Sequence, residues 1–203
     1  MKQKPDNLKL LESFSLDLKG VFTLADLRGI YPDKHTLTFY RRIKSLEKDG
    51  ILTRVLKSIY VSKSFDIDVL SQKICPNSYI SFENVLAKEL VIGTVPKNSV
   101  RAAKKGKKRE YKFDAKKIIH LGLATHLFFG FKTRQGVNYA TKEKAFLDTL
   151  YFYNKGVRFY FDIFSDINLE QLNIKLIHKY LKKYKNPKFI NFVKNYLNEH
   201  SFS

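Results

Sequence analysis

The 203-residue chain contains one cysteine, Cys75. A lone thiol can close no internal disulfide and supplies no multi-cysteine zinc site, which fits a reducing, cytoplasmic setting. Acidic residues are scarce, with 19 Asp+Glu against 38 Lys+Arg. No stretch approaches the roughly 20 consecutive apolar residues that a membrane-spanning helix needs. The opening residues Met1 to Lys9 are polar and lack the apolar centre of a secretory signal, so the protein is expected to stay inside the cell. Familiar catalytic patterns are missing too. His35, His120, His126, His178 and His200 include no pair at zinc-ligand spacing, and Cys75 has no obvious histidine partner. Gly106-Lys107-Lys108 lacks both the earlier glycine and the following Ser or Thr of a phosphate loop. No catalytic residue, metal or cofactor is expected.

What the chain does have is 44% apolar residues, including 17 Phe and 12 Tyr, enough to bury a real core. Its length suits a small domain followed by a medium one. The formal charge of +19 is self-repulsive and would be relieved by a polyanion, of which nucleic acid is the commonest. An A+T-rich genome also inflates lysine without any binding role. A membrane surface is the weaker partner, because no basic amphipathic helix stands apart from a core.

The spacing Leu8, Leu11, Phe14 predicts a short helix from Pro5 to Phe14, and Val21-Phe22 a brief strand. Thr23 is placed to cap a second helix, Leu24 to Gly29, with Leu24, Leu27 and Ile30 inward. After the turn Tyr31-Pro32-Asp33, a third helix is expected over Lys34 to Lys48, with Leu37, Tyr40, Ile43 and Leu46 as its buried stripe, ended by Asp49-Gly50. Ile51 to Arg54 and Ile59 to Val61 read as a hairpin. Three short helices and a hairpin are the order of a winged helix-turn-helix, expected over residues 1–68, with a junction from Ser62 to Asn77 that is helical near Ile67 to Ile74.

Residues 69–203 read as a second, mixed domain, so the fold class is α+β. Ser81 is the expected cap of a helix from Phe82 to Ile92, stopped by Gly93. Ser99 to Lys104 and Arg109 to Phe113 flank a turn at Gly106, and Ile118 to Leu121, Leu127 to Phe131 and Val137 to Tyr139 complete a small antiparallel sheet. Thr141 caps a helix to about Tyr153, with Phe146, Leu147 and Leu150 inward. Two terminal helices follow, one defined by Leu172, Leu176, Tyr180 and Tyr184, the other by Phe189, Val193, Tyr196 and Leu197.

In a winged helix the third helix enters the major groove, where Arg reads guanine edges and Thr or Ser serves base or phosphate. That assigns a DNA face to Thr36, Thr38, Arg41, Arg42, Ser45 and Lys48, with Arg54 and Lys57 on the wing. An ordinary solvated helix face is the bland alternative, set against the lack of any acidic residue among the outward positions of Lys34 to Ser45. Arg101 to Lys117 carries nine Lys/Arg against Glu110 and Asp114, dense enough to suggest a second basic surface in which Lys104, Lys105, Lys107, Lys108 and Arg109 meet DNA or an acidic partner, with a merely solvated hairpin as the bland alternative. Asp162, Asp166 and Glu170 recur at four-residue steps, which suits a solvated face or cap better than Mg²⁺.

Three further segments are Tyr79-Ile80-Ser81-Phe82-Glu83-Asn84-Val85-Leu86, Phe128-Phe129-Gly130-Phe131, and Tyr139-Ala140-Thr141-Lys142-Glu143-Lys144-Ala145-Phe146-Leu147-Asp148-Thr149-Leu150-Tyr151. Through them the second region resembles the antitoxin component of the abortive-infection E (AbiE) type IV toxin-antitoxin systems, over most of the chain up to about Phe152. The resemblance implies an N-terminal winged helix that represses its own operon by binding inverted repeats in double-stranded DNA. It also implies a second domain needed for antitoxicity toward a nucleotidyltransferase toxin encoded next door, without a requirement for a stable complex. Lys57-Ser58 stands where relatives often carry a Gly-containing turn, and the helices after Asn168 are not diagnostic. A stand-alone regulator of the same architecture and a metal-dependent nucleic-acid-modifying enzyme are the rival functions.

Overall fold

The structure, a computed structural model, describes residues 4–93 and 97–200, so the first three positions of the polar stretch Met1 to Lys9 lie outside the described residues. The protein is α+β and divides into two compact units, Met1–Ile74 and Cys75–Ser203.

In the first unit the elements are α1 (Lys4–Ser15), β1 (Val21–Thr23), α2 (Leu24–Ile30), α3 (Thr36–Lys48), β2 (Thr53–Leu56), β3 (Ile59–Val61) and α4 (Ile67–Ile74). Thr23 starts α2 with a reciprocal cap: its hydroxyl accepts from the Asp26 amide at 3.1 Å, and the Asp26 carboxylate accepts from the Thr23 amide at 2.8 Å. The strands form an antiparallel sheet in the order β1-β3-β2, with Val21 opposite Val61 and Thr53 opposite Val61 on its other side. Leu11, Phe22, Leu27, Ile30, Phe39, Ile43, Leu46, Leu52 and Tyr60 build one core between helices and sheet. Helix α4 belongs to this unit, because the Lys73 ammonium reaches the Val21 carbonyl at 2.9 Å and the Asp26 carboxylate at 2.7 Å.

The buried stripe of α3 is Phe39, Ile43 and Leu46, not the expected run from Leu37 through Tyr40. Leu37 is 71% exposed and Tyr40 43%. Positions 39, 43 and 46 follow the four-then-three spacing of one helical face, whereas a strict three-residue interval drifts around the helix.

The second unit contains β4 (Ser78–Ile80), α5 (Glu83–Lys88), β5 (Ser99–Lys105), β6 (Arg109–Phe113), β7 (Lys116–Leu123), β8 (Phe131–Arg134), β9 (Val137–Ala140), α6 (Lys142–Tyr153), α7 (Ile174–Leu181) and α8 (Pro187–His200). Its sheet has six strands in the order β6-β7-β5-β4-β9-β8 and is mixed rather than small and antiparallel. The pairs β5 with β7 and β4 with β9 are parallel, and the others antiparallel. Strands β5 and β6, expected to flank a hairpin turn at Gly106, are not neighbours, because β7 runs between them. To make room, the chain leaving β5 crosses β7 at Gly122. A Cβ built on that residue would lie 1.8 Å from the Gly106 carbonyl oxygen, and Gly106 itself takes φ +84.

Other boundaries differ, among them the end of α5, which comes at Lys88 rather than Ile92. Leu127 ends a short 3-10 turn, Thr125–Leu127, rather than opening a strand. Ser81 does not cap α5: Phe82 holds that place with φ +59, and the Ser81 hydroxyl is turned to Asp148 at 2.8 Å. The cap on α6 stands as expected, with the Thr141 hydroxyl accepting from the Lys144 amide at 3.3 Å. In α8 the buried residues are Phe189, Val193, Tyr196 and Leu197, as the spacing indicates, while α7 buries Ile177 and Leu181 instead of Leu176 and Tyr180.

Candidate nucleic-acid interface

Helix α3 turns a long face to solvent. Thr36, Leu37, Thr38, Tyr40, Arg41, Lys44, Ser45 and Lys48 are all exposed. No carboxylate occurs from Lys34 to Leu46. Of the residues assigned to this face, Thr36, Thr38, Arg41, Ser45 and Lys48 lie on it, although Ser45 also points to the Asp49 carboxylate at 3.4 Å.

Arg42 is the exception. Its guanidinium makes a two-pronged contact with Asp33, both nitrogens at 2.8 Å, and lies 5.3 Å from the centre of the Tyr31 ring. Such a planar fork on a carboxylate fixes geometry as well as charge. Arg42 therefore clamps the turn before α3 to the helix, and it is half-buried where the other assigned residues of this face are exposed. Sequence spacing hid this because Asp33 lies outside the helix, nine positions earlier. Lys44, which the assignment omitted, takes Arg42's place on the outer face; correcting the buried stripe from Tyr40 to Phe39 is enough to find it.

On the hairpin, Arg54 folds back and donates to the Leu56 carbonyl at 3.4 Å and the Lys57 carbonyl at 3.0 Å, closing the turn. Lys57 is exposed. Arg54 and Lys57 line, with Tyr40, Lys44, Glu47 and Tyr60, an open groove of about 510 Å³ between α3 and the hairpin.

The Asp33–Arg42 clamp and the Asp26–Lys73 bridge make part of this unit's stability acid-sensitive. The Arg42 hydrogen bond holds the Asp33 carboxyl below its ordinary 3.8. Burial pushes Asp26 up, but the bonds from Lys73 and Thr23 outweigh it and leave it below 3.8. A carboxyl depressed on folding contributes stability above its unfolded value and loses it as pH falls through the folded one. Acid titration followed by circular dichroism should show the first unit weakening below about pH 4. Asp33→Asn should be less stable at pH 7 and lose less on going to pH 3; an equal loss in both proteins would rule out Asp33 as a contributor.

In the second unit, Lys105, Lys107, Lys108 and Arg109 are exposed and Lys104 half-buried, at the crossing between β5 and β6. Lys104 donates to the Lys107 carbonyl at 3.4 Å. Glu110 accepts from Lys117 at 2.9 Å and faces Lys108 at 3.6 Å and Lys112 at 3.7 Å, exposed pairs of small energetic weight. Arg101 is turned inward instead: it is buried against Glu83 at 3.2 Å and lies over the Phe159 ring at 4.9 Å.

A polar cluster is buried beneath α6. Lys144 and Asp148, both fully buried, form an ion pair one helical turn apart. Asp148 also accepts from the Ser81 hydroxyl at 2.8 Å and the Tyr79 phenol at 3.0 Å, and Lys144 donates to the Tyr184 oxygen at 3.3 Å. Burial pushes the Asp148 carboxyl up and the Lys144 ammonium down, each opposed by the charge of the other. The Phe129 ring stacks over this ammonium at 4.9 Å, and a Cβ at Gly130, where φ is +74, would come within 3.1 Å of the Lys144 stem. Thus the three segments that carried the AbiE resemblance meet in one place.

Asp162 and Asp166 close a local turn, with the Asp166 carboxylate accepting from the Asp162 amide at 2.8 Å. Among the described residues no group of three His, Cys, Asp or Glu side chains is placed to hold a metal ion, and no helix is long and apolar enough to cross a membrane. No protein-family model and no curated protein sequence matches the chain.

Proposed function

We propose that the first unit is a winged helix-turn-helix that binds duplex DNA, and that the protein is the antitoxin of a type IV toxin-antitoxin pair that represses its own operon. In this reading α2 and α3 are the helix pair and β2–β3 the wing. The observation that carries it is the outer face of α3, where Thr36, Thr38, Arg41, Lys44, Ser45 and Lys48 are exposed together and no carboxylate occurs before Glu47. Arg41 and Lys44 suit guanine edges or phosphates, Lys48 a phosphate, and the exposed Leu37 side chain a thymine methyl group. Lys57 on the wing suits a neighbouring phosphate. Lys104, Lys105, Lys107, Lys108 and Arg109 belong to the second unit and supply further positive charge. Antitoxicity rests on the AbiE resemblance of the second unit.

The test uses the promoter fragment upstream of the chain's own reading frame. Combined Arg41→Ala, Lys44→Ala and Lys48→Ala should weaken binding at least tenfold in a mobility-shift titration and flatten the log–log salt dependence by about 2 to 3. Unchanged affinity, or a wild-type protein whose binding ignores salt, would refute the DNA reading. Co-expression with the adjacent gene product tests the other half: the full chain should relieve growth arrest, and failure to do so leaves only a stand-alone regulator.

A further inference from the structure

The second unit carries a second basic run, one that begins after the last motif of the AbiE resemblance. Between Glu170 and Glu199 the sequence has seven lysines and no carboxylate. All seven, Lys175, Lys179, Lys182, Lys183, Lys185, Lys188 and Lys194, are exposed on α7, α8 and the turn joining them. A charge run alone is an ordinary solvated surface. What sets this one apart is where it comes to rest.

The Lys183 ammonium lies 4.3 Å from the centre of the Phe129 ring, and the Lys105 ammonium, from the other basic segment, lies 5.2 Å from the centre of Phe128. Phe128 and Phe129 are consecutive and half-buried. Two basic segments nearly 80 positions apart in the chain thus converge on one aromatic pair. Tyr180 adds a third half-buried ring, 5.2 Å from Phe129. Among the described residues, no carboxylate lies within ion-pair distance of Lys105 or Lys183.

We propose that Lys105, Phe128, Phe129, Tyr180 and Lys183 form a binding surface for single-stranded nucleic acid, separate from the face of α3. The chemistry is that of single-strand binders generally: cations follow the phosphates while ring faces stack on bases, an arrangement every base can use. Phe129 already rests on the buried Lys144 ammonium and Phe128 on Tyr79 and Phe131, so the faces that serve are those now under the exposed Lys183 and Lys105 ammoniums, once these side chains swing onto phosphates. Duplex DNA keeps its bases stacked on one another and offers nothing to the rings. An acidic protein segment would use the lysines and leave the rings idle. The surface does not depend on the DNA reading of the first unit.

The experiment uses the full chain in the Arg41→Ala, Lys44→Ala, Lys48→Ala background, so that α3 does not contribute. Labelled oligo(U) and oligo(dT) of about 12 nucleotides, a duplex of the same length and polyglutamate are titrated by fluorescence anisotropy. Lys105→Ala with Lys183→Ala should weaken binding of both single strands about tenfold or more, with thermal melting unchanged. Phe128→Leu keeps an apolar side chain but removes a ring face and should weaken the oligonucleotides while leaving inorganic polyphosphate competition as it was. Stronger binding of oligo(U) than of oligo(dT) would name RNA as the natural source, and the reverse DNA. Single-strand affinity indifferent to the lysine pair overturns the proposal. So does tighter binding of the duplex or of polyglutamate, which would make the patch a duplex or an acidic-protein surface. Should Phe128→Leu not fold, the lysine pair alone decides.

Discussion

Asp148→Ala is expected to destabilise the second unit by about 3 to 5 kcal/mol, the cost of leaving one partner of a buried ion pair without the other. Asp148 is fully buried and is the common acceptor for Lys144, Ser81 and Tyr79. Removing it leaves an ammonium, a hydroxyl and a phenol in an apolar interior with no counter-charge. Since a domain is stable by only about 5 to 15 kcal/mol, most of the variant's second unit should unfold well before the wild type in urea. Lys144→Met combined with Asp148→Leu should recover much of the loss, because apolar side chains of similar size can replace a buried pair. Recovery would be incomplete, as Ser81 and Tyr79 still lack their acceptor. A loss under about 1 kcal/mol for Asp148→Ala would overturn the expectation that a charge is left buried and uncompensated.

The second large effect is expected at Gly122. An alanine methyl would overlap the Gly106 carbonyl oxygen at 1.8 Å and press on the Lys107 carbonyl carbon at 3.1 Å, both backbone atoms that cannot rotate away. Relief requires the crossing strand to lift off β7, breaking the bond from the Gly106 amide to the Leu123 carbonyl at 3.2 Å. Overpacking of this kind costs about 3 kcal/mol, through displaced backbone as well as contact. Gly106→Ala meets no atom within 4 Å, but sits at φ +84, so it should cost only about 1 kcal/mol. Denaturant melts of the two variants should therefore fall in that order. Equal midpoints would exclude the crossing as the source of the constraint.

These two sites show how far a single sequence can be read. The capped start of α6, the Thr23 cap on α2 and the inner face of α8 follow from local spacing and are legible, whereas the Asp26 half of the α2 cap is seen only in the structure. The face of α3 was legible except for its phase, and one misplaced aromatic, Tyr40 for Phe39, was enough to put Leu37 inside and to omit Lys44. Arg42 could not be placed, since its partner comes from outside the helix. Lys144 and Asp148 stand four apart, a spacing that usually marks a solvated pair on a helix surface. The clue that they are buried is that Ala145, Phe146, Leu147, Leu150 and Phe152 cover so much of α6 that no wet side remains. Strand order was hidden for a different reason: alternation reports that a segment is extended and says nothing about which strand lies beside it.

The insertion of β7 between β5 and β6 also orders events during synthesis. A chain that has emerged only as far as Phe113 has both flanking strands but not the one that joins them, and β5 then shows an open hydrogen-bonding edge on one side. Such an edge recruits other chains as readily as its own. The first unit, complete by Ile74, can already be compact while this gap persists, so the interval between the emergence of Phe113 and that of Leu123 leaves the β5 edge open to intermolecular pairing.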